Sequence, residues 1–237
     1  MSDIIPVILS WSGGKDSALT LHALRDDACY RVVGLLTSVN GHYGRISMHG
    51  VRESLLDAQA ESLGLPLHKI RLSERPSNAE YEQKMRLALE GFKAQGIRHM
   101  AFGDLFLEDI RQYRVSNMQK AGMECLFPLW LKPTDKLARE FIMQGFKAVL
   151  CCVDSKALDG RYAGREYDRN LLKELPESVD PCGENGEFHT FVYAGPVFQR
   201  PIAFTRGECV LRDNRFHFCD LIPTEKEHEH LAANAHS

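Results

Sequence analysis

Apolar positions along the chain follow two rhythms. Short unbroken runs alternate with longer stretches in which apolar residues recur every three or four positions. The runs Ile4 to Leu9, Arg31 to Thr37, Leu67 to Leu72, Ile97 to Phe102 and Phe146 to Val153 read as buried strands. Between them, Ala18, Leu21 and Leu24 share one helical face, as do Val51, Leu55 and Ala58 ahead of Gly64. Tyr81, Met85, Ala88, Leu89 and Phe92 form a longer stripe, which is core packing and needs no ligand. A polar helix is expected over Glu108 to Lys120. Cys125-Leu126-Phe127 is a short apolar piece stopped by Pro128. Thr134 is the expected N-cap of a helix carrying Leu137, Ala138, Phe141 and Ile142. Strand–helix alternation of this kind predicts an α/β protein: a parallel sheet of about five strands with helices on both faces.

The rhythm breaks near residue 155. Tyr167 to Leu175 is helix-like, and from Phe188 onward alternating apolar residues and turn residues predict hairpins. The expected organisation is an α/β domain over 1–155, a small α+β domain over 156–225, and a flexible tail over 226–237. That tail holds His228, His230 and His236, read as a solvated terminus rather than a metal site.

The chain has 237 residues, 44% of them hydrophobic, which is enough for a sizeable core. A formal net charge of −3 argues against a strongly basic nucleic-acid face, though not against a local patch. No apolar stretch approaches the roughly 20 residues of a membrane span, and Met1-Ser2-Asp3 leads directly into a strand with no export signal. No pair among the seven cysteines has C-x-x-C spacing. Cys151 and Cys152 lie in an apolar run and read as buried small hydrophobes. The expected location is cytoplasmic, with reduced thiols.

Chemistry concentrates first in Ser10-Trp11-Ser12-Gly13-Gly14-Lys15-Asp16-Ser17, between a strand and a helix. Such turns aim backbone N–H groups and the positive end of a helix dipole at one point, where phosphates bind. Ser12 and Ser17 offer hydroxyls and Lys15 a cation. Asp16 suits an anion site only if Mg²⁺ bridges it to phosphate oxygens. A Walker loop is excluded, because Leu9 stands at its first glycine and Asp16 at its hydroxyl position. The G-x-G-x-x-G fingerprint is absent. Ser12-Gly13-Gly14-Lys15-Asp16-Ser17 resembles the pyrophosphate (PP) loop of the ATP pyrophosphatases, which split ATP into AMP and pyrophosphate.

Ligands of open parallel sheets lie beyond the carboxyl ends of the strands. This rule selects Thr37 after the second strand, Gly103-Asp104 after the fourth, and Asp154-Ser155 after the fifth. Asp104 is a candidate metal-side carboxylate or a helix cap. His49 and Arg52, at the start of the second helix, could contact phosphate or simply be solvated. Glu108, Asp109, Arg111 and Arg114 form a charged face, and its position after Asp104 favours Arg111 pointing into the cleft. The second concentration is Asp180-Pro181-Cys182-Gly183-Glu184-Asn185-Gly186-Glu187-Phe188-His189-Thr190. Glu184 and Glu187 could bind Mg²⁺, hold an ammonium-like nucleophile or act as a general base, and His189 could do acid–base work. An Asn-Gly turn with solvated acids is the alternative. Cys182 has no local basic partner, so a structural role is favoured.

Together with His49-Gly50-Val51-Arg52, Gln59-Ala60, Leu63-Gly64, Pro128-Leu129-Trp130 and Gly164-Arg165, these stretches resemble the diphthine–ammonia ligase family of N-type ATP pyrophosphatases. The likeness runs from residue 4 to about 205, and Gly183 to Thr190 is its family-specific part. It implies that 1–155 is a HUP/Rossmann-like nucleotide-binding domain and that the smaller C-terminal domain over 156–225 closes the substrate cleft. The extra C-terminal domains of long eukaryotic members are not expected here.

The resemblance implies ATP and Mg²⁺ as cofactors. ATP would be bound by Ser10, Ser12, Gly13, Gly14, Lys15, Asp16, Ser17, Thr37, His49, Arg52, Gly103, Asp104 and Arg111, with Asp16 on the metal. Catalysis would rest on Lys15, Asp16, Glu184, Glu187 and His189. The implied reaction adenylates a carboxylate-bearing substrate, such as a modified protein residue, and passes it to ammonia. No membrane partner is expected, and a homodimer is compatible. Three other readings stay open: an RNA-thiolating enzyme, a PP-loop ATPase acting on a cobalamin-related metabolite, and a non-catalytic adenine-nucleotide sensor.

Overall fold

The computed structural model describes residues 4–40, 45–46 and 50–224. His49, Met48, Gly41, Gly44 and the tail over 226–237 lie outside the described residues. The first sheet contains β1 (Ile5–Ser10), β2 (Tyr30–Asn40), β3 (Arg45–Ile46), β4 (Leu67–Leu72), β5 (His99–Ala101) and β6 (Glu124–Leu126). Five of them are mutually parallel, in the order β4-β2-β1-β5-β6, and β3 pairs antiparallel with the end of β2. Helices α1 (Lys15–Asp26), α2 (Glu53–Leu63), α3 (Asn78–Ala94) and α4 (Glu108–Lys120) connect these strands.

Successive strand residues face opposite sides, and the core divides accordingly. Val7, Leu9, Leu35 and Ala101 join α1 and α2 in one cluster. Ile8, Leu36 and Met100 join Leu89 and Phe92 of α3 and Met118 of α4 in another. The sheet is therefore covered on both faces, as a HUP/Rossmann-like sheet requires.

The second sheet is antiparallel, in the order β8-β7-β10-β9. Its strands are β7 (Lys147–Asp154), β8 (Phe188–Ala194), β9 (Phe204–Arg212) and β10 (Phe216–Pro223), accompanied by α5 (Thr134–Met143) and α6 (Arg169–Glu174). Strand β7 corrects one expectation. The run Phe146 to Val153 is a strand, but it pairs with β8 and β10 rather than extending the parallel sheet. The fifth parallel strand is β6, read above only as a short apolar piece. The side chains of β7 lie in the same cluster as α1 and α2, so the second sheet packs over those helices.

Smaller corrections concern element ends. Thr134 is the first residue of α5, and Pro133 precedes it with no side-chain cap. Helix α6 is shorter than Tyr167 to Leu175. Asp168 caps it by accepting from the N–H groups of Asn170 and Leu171. The β9–β10 turn takes positive φ at Asp213 and Asn214, the residue types that tolerate it in hairpins. Among the described residues no helix is long and apolar enough to cross a membrane.

Candidate active site

Strand order reverses between β1 and β5, and a crevice opens beyond the carboxyl ends of two such strands. The glycine loop leaves β1 there, and Gly103-Asp104 leave β5. A cavity of about 270 Å³ occupies the place. Its walls are Ser10, Ser12, Gly14, Lys15, Asp16 and Ser17 on one side, and Phe102, Gly103, Asp104 and Arg114 on a second. Cys182, Gly183, Glu184, Gly186, Phe188, His189 and Thr190 form the third. The two chemistry-rich stretches of the sequence thus share one cavity.

Local physics explains why the loop can lie so tightly. Gly13 has φ +78°, and a Cβ there would stand 2.8 Å from Gln59 Oε1. A Cβ at Gly103 would come within 3.0 Å of the backbone of Asp16. Gln59 is fully buried and holds three segments at once. Its Oε1 accepts from Trp11 Nε1 at 2.9 Å, and its Nε2 donates to Gly13 O at 3.0 Å and Val192 O at 2.6 Å. Thr190 Oγ1 accepts from Lys15 N–H at 3.0 Å, and Val192 N–H donates to Gly13 O at 2.9 Å. Strand β8 therefore clamps the loop at the start of α1.

Inside the cavity, Lys15 Nζ donates to both Asp16 oxygens, at 2.8 and 2.7 Å. Burial opposes the charge of Lys15, but the Asp16 carboxylate outweighs it and the ammonium is held above its ordinary pKa. Burial in turn pushes the Asp16 carboxyl upward against the pull of Lys15. Glu184 Oε1 accepts from Leu105 N–H at 2.7 Å. Burial lifts Glu184 to about 7, with Asp16 adding to the rise and the Leu105 hydrogen bond opposing it. His189 is lowered to about 4 by burial and then by Lys15, so it is neutral at pH 7. Cys182 is pushed up to about 12 by burial and donates to Thr134 O.

Other expected residues lie elsewhere. Glu187 does not line the cavity. It is 4% exposed, and its Oε1 accepts from Asp180 N–H at 2.9 Å and Asn185 Nδ2 at 3.0 Å, while Oε2 has no partner among the described residues. It frames the loop that presents Glu184. Thr37 is buried away from the cavity lining. Arg52 faces Asp220 of β10, at 2.6 Å, rather than the cavity. Arg111 stacks its guanidinium over Phe127 and Trp130, with centroid distances of 5.4 and 4.9 Å. The cavity cation in that region is Arg114, whose Nε donates to Asp104 Oδ2 at 3.2 Å. Its spacing from Asp104, across the first turns of α4, was the available signal. Asp104 itself is an ion partner of Arg114, while the residue capping α4 is Leu107.

The assembled site joins a helix N-terminus and a lysine, which suit phosphate, to a carboxyl group that changes charge near neutrality. Family models described as the diphthamide synthase N-terminal and C-terminal domains match residues 5–124 and 133–220. The diphthine–ammonia ligase of Homo sapiens is 26% identical over 226 residues, which cover 84% of this chain and 83% of the human protein. That of Danio rerio is 25% identical over 228 residues, with coverages of 86% and 88%. The Schizosaccharomyces pombe protein of the same name is 26% identical over 220 residues. There the match takes in 84% of this chain but 36% of the relative, so this chain spans well under half of that protein's length.

Proposed function

Because the chain belongs to the diphthamide synthase family, we propose that it is an ATP-dependent amide-forming ligase of the diphthine–ammonia ligase type. ATP would lie with its phosphates against the loop Ser12 to Ser17. A substrate carboxylate would attack the α-phosphorus, pyrophosphate would leave, and ammonia would then displace AMP. The observation that carries this reading is the meeting of the glycine loop with Glu184 and His189 in one cavity. A phosphate-binding loop alone would serve a sensor, which has no use for a carboxyl group poised near pH 7.

The α1 N-terminus and the Lys15 ammonium would stabilise charge on the departing pyrophosphate, the main electrostatic demand of adenylation. Glu184 is the group suited to take a proton from ammonium or from the attacking amine. Neutral His189 can donate or accept a hydrogen bond beside it without adding charge.

The donor chemistry fits Mg²⁺. Asp16 offers hard carboxylate oxygens at the cavity wall. No group of three or more His, Cys, Asp or Glu among the described residues could hold a metal unaided. Mg²⁺ takes one or two carboxylates and completes its shell with phosphate and water. When bound, Mg²⁺ would neutralise phosphate charge.

The thiolation alternative needs a reactive cysteine. Cys182, the cysteine of the cavity lining, is held protonated and donates to a backbone carbonyl.

The test uses ATP labelled at the α-phosphate, Mg²⁺, ammonium and an elongation factor bearing diphthine. Acceptor-dependent AMP and pyrophosphate are expected, with loss of turnover by at least about 10²-fold in Asp16→Ala. If that variant keeps full turnover, the site assignment is wrong. ATP binding without AMP from this acceptor would favour the nucleotide-sensor reading.

A further inference from the structure

Strands β9 and β10 set Cys209 directly opposite Cys219. Residues so placed project from the same face of an antiparallel pair, with Cα atoms about 4.5–5.5 Å apart. That spacing falls inside the window of roughly 4.4–6.8 Å that disulfides occupy. The two sulfurs also converge on one point. A Cβ at Gly164 would stand 2.9 Å from Cys219 Sγ and 3.6 Å from Cys209 Sγ, so the missing side chain leaves that space to the thiols. Cys209 is exposed and Cys219 buried. Each thiol donates to a backbone carbonyl, Cys209 Sγ to Ala163 O at 3.7 Å and Cys219 Sγ to Asp220 O at 3.9 Å, and Cys219 is pushed up to about 12, first by burial and then by the neighbouring Cys209. Neither lines the nucleotide cavity.

We propose that Cys209 and Cys219 form a reversible dithiol–disulfide site whose oxidant is a hydroperoxide. The exposed Cys209 thiolate attacks one peroxide oxygen, the O–O bond breaks, and Cys209 becomes a sulfenic acid as hydroxide leaves. The Cys219 sulfur then attacks the sulfenyl sulfur. The S–S bond forms, the S–O bond breaks, and water leaves with the Cys219 proton. Hydroxide takes the proton that Cys209 lost. In total, two thiols and one hydrogen peroxide give one disulfide and two waters. A small dithiol reverses the step by exchange. The bridge would fix β10 at the residue before Asp220, whose carboxylate holds Arg45 at 2.9 Å and Arg52 at 2.6 Å. None of this depends on the ligase reading.

The full chain is treated with hydrogen peroxide, its remaining thiols are alkylated, and the digest is read by mass spectrometry without reduction. The expected result is a Cys209–Cys219 linked peptide that dithiothreitol abolishes. Cys219 should be lost at least about ten-fold faster than in Cys209→Ser. In Cys219→Ser, Cys209 should continue to sulfinic acid. Cys209 oxidised while Cys219 stays alkylatable in the unsubstituted chain would overturn the proposal. Linkage of Cys209 to Cys29, to Cys125 or to a second copy would do the same. The principal readout needs no variant, so a folding defect in Cys219→Ser leaves the conclusion intact.

Discussion

Glu184 couples stability and activity in opposite directions. Its carboxyl is raised to about 7 by burial, so the folded protein favours the protonated form. The stability this gives is complete below the ordinary carboxylate range and is lost as pH rises through about 7. A general base must be deprotonated, so turnover should rise over the same interval. Glu184→Gln is expected to remove that ascending limb from the pH profile of kcat/KM and to lower kcat by about 10²-fold or more. The variant should also unfold at higher denaturant than the parent above pH 7, by about 1–2 kcal/mol after allowance for partial exposure. An unchanged limb in the variant would assign the titration to another group. His189, already neutral at these pH values, adds no inflection there. The strand-end rule picked out Lys15 and Asp16, and a local density of ionisable groups picked out Glu184 and His189; that the two stretches share one cleft was implied by the family resemblance alone. The surroundings of Arg52 and Glu187 could not be read from sequence. Arg52 meets a carboxylate 168 positions away, and Glu187 is turned inward by Asp180 and Asn185.

At the level of elements, β7 shows what an apolar run conveys. Seven of its eight residues are buried, and a strand covered on both faces has that pattern whether its neighbours are parallel or antiparallel. The run therefore revealed a central strand but not its sheet. Strand β6, three residues long, was too short for periodicity to register. Helix α2 shows the converse. Its apolar spacing was plain, but its most consequential side chain is polar. Gln59 uses both amide hydrogens and accepts once, bonding Trp11, Gly13 and Val192 and tying α2 to the glycine loop and to β8. Gln59→Leu keeps the volume and strands the Trp11 N–H, so it should cost about 2–4 kcal/mol in urea unfolding. Nucleotide affinity should fall as well, because the loop loses its brace. A loss below 0.5 kcal/mol, on the order of an ordinary surface substitution, would show that the brace is dispensable.

Across the whole molecule, the two sheets are joined by polar bonds as well as by apolar packing. Asp220 of β10 clasps Arg45 of β3 and Arg52 before α2. Ser62 Oγ donates to Arg200 O, and Arg25 donates to Val197 O. Hydrogen bonding to Arg52 holds the Asp220 carboxyl below its usual range, although burial opposes the shift. The clasp is therefore present above the ordinary carboxylate pKa and is lost as pH falls through the lower folded value. Asp220→Asn should cost about 1–2 kcal/mol at pH 7, with the difference shrinking in acid. A cost that stays constant with pH would mean that packing rather than charge is involved. Sheet membership also turns over just once, between Leu126 and Lys147. A chain severed near Pro133 would give two polypeptides, each carrying every strand of its own sheet. Expressed from separate genes, they should find each other and regain the cavity. A cut at residue 155 should not succeed, because it would leave β7 on the fragment that holds none of its partners.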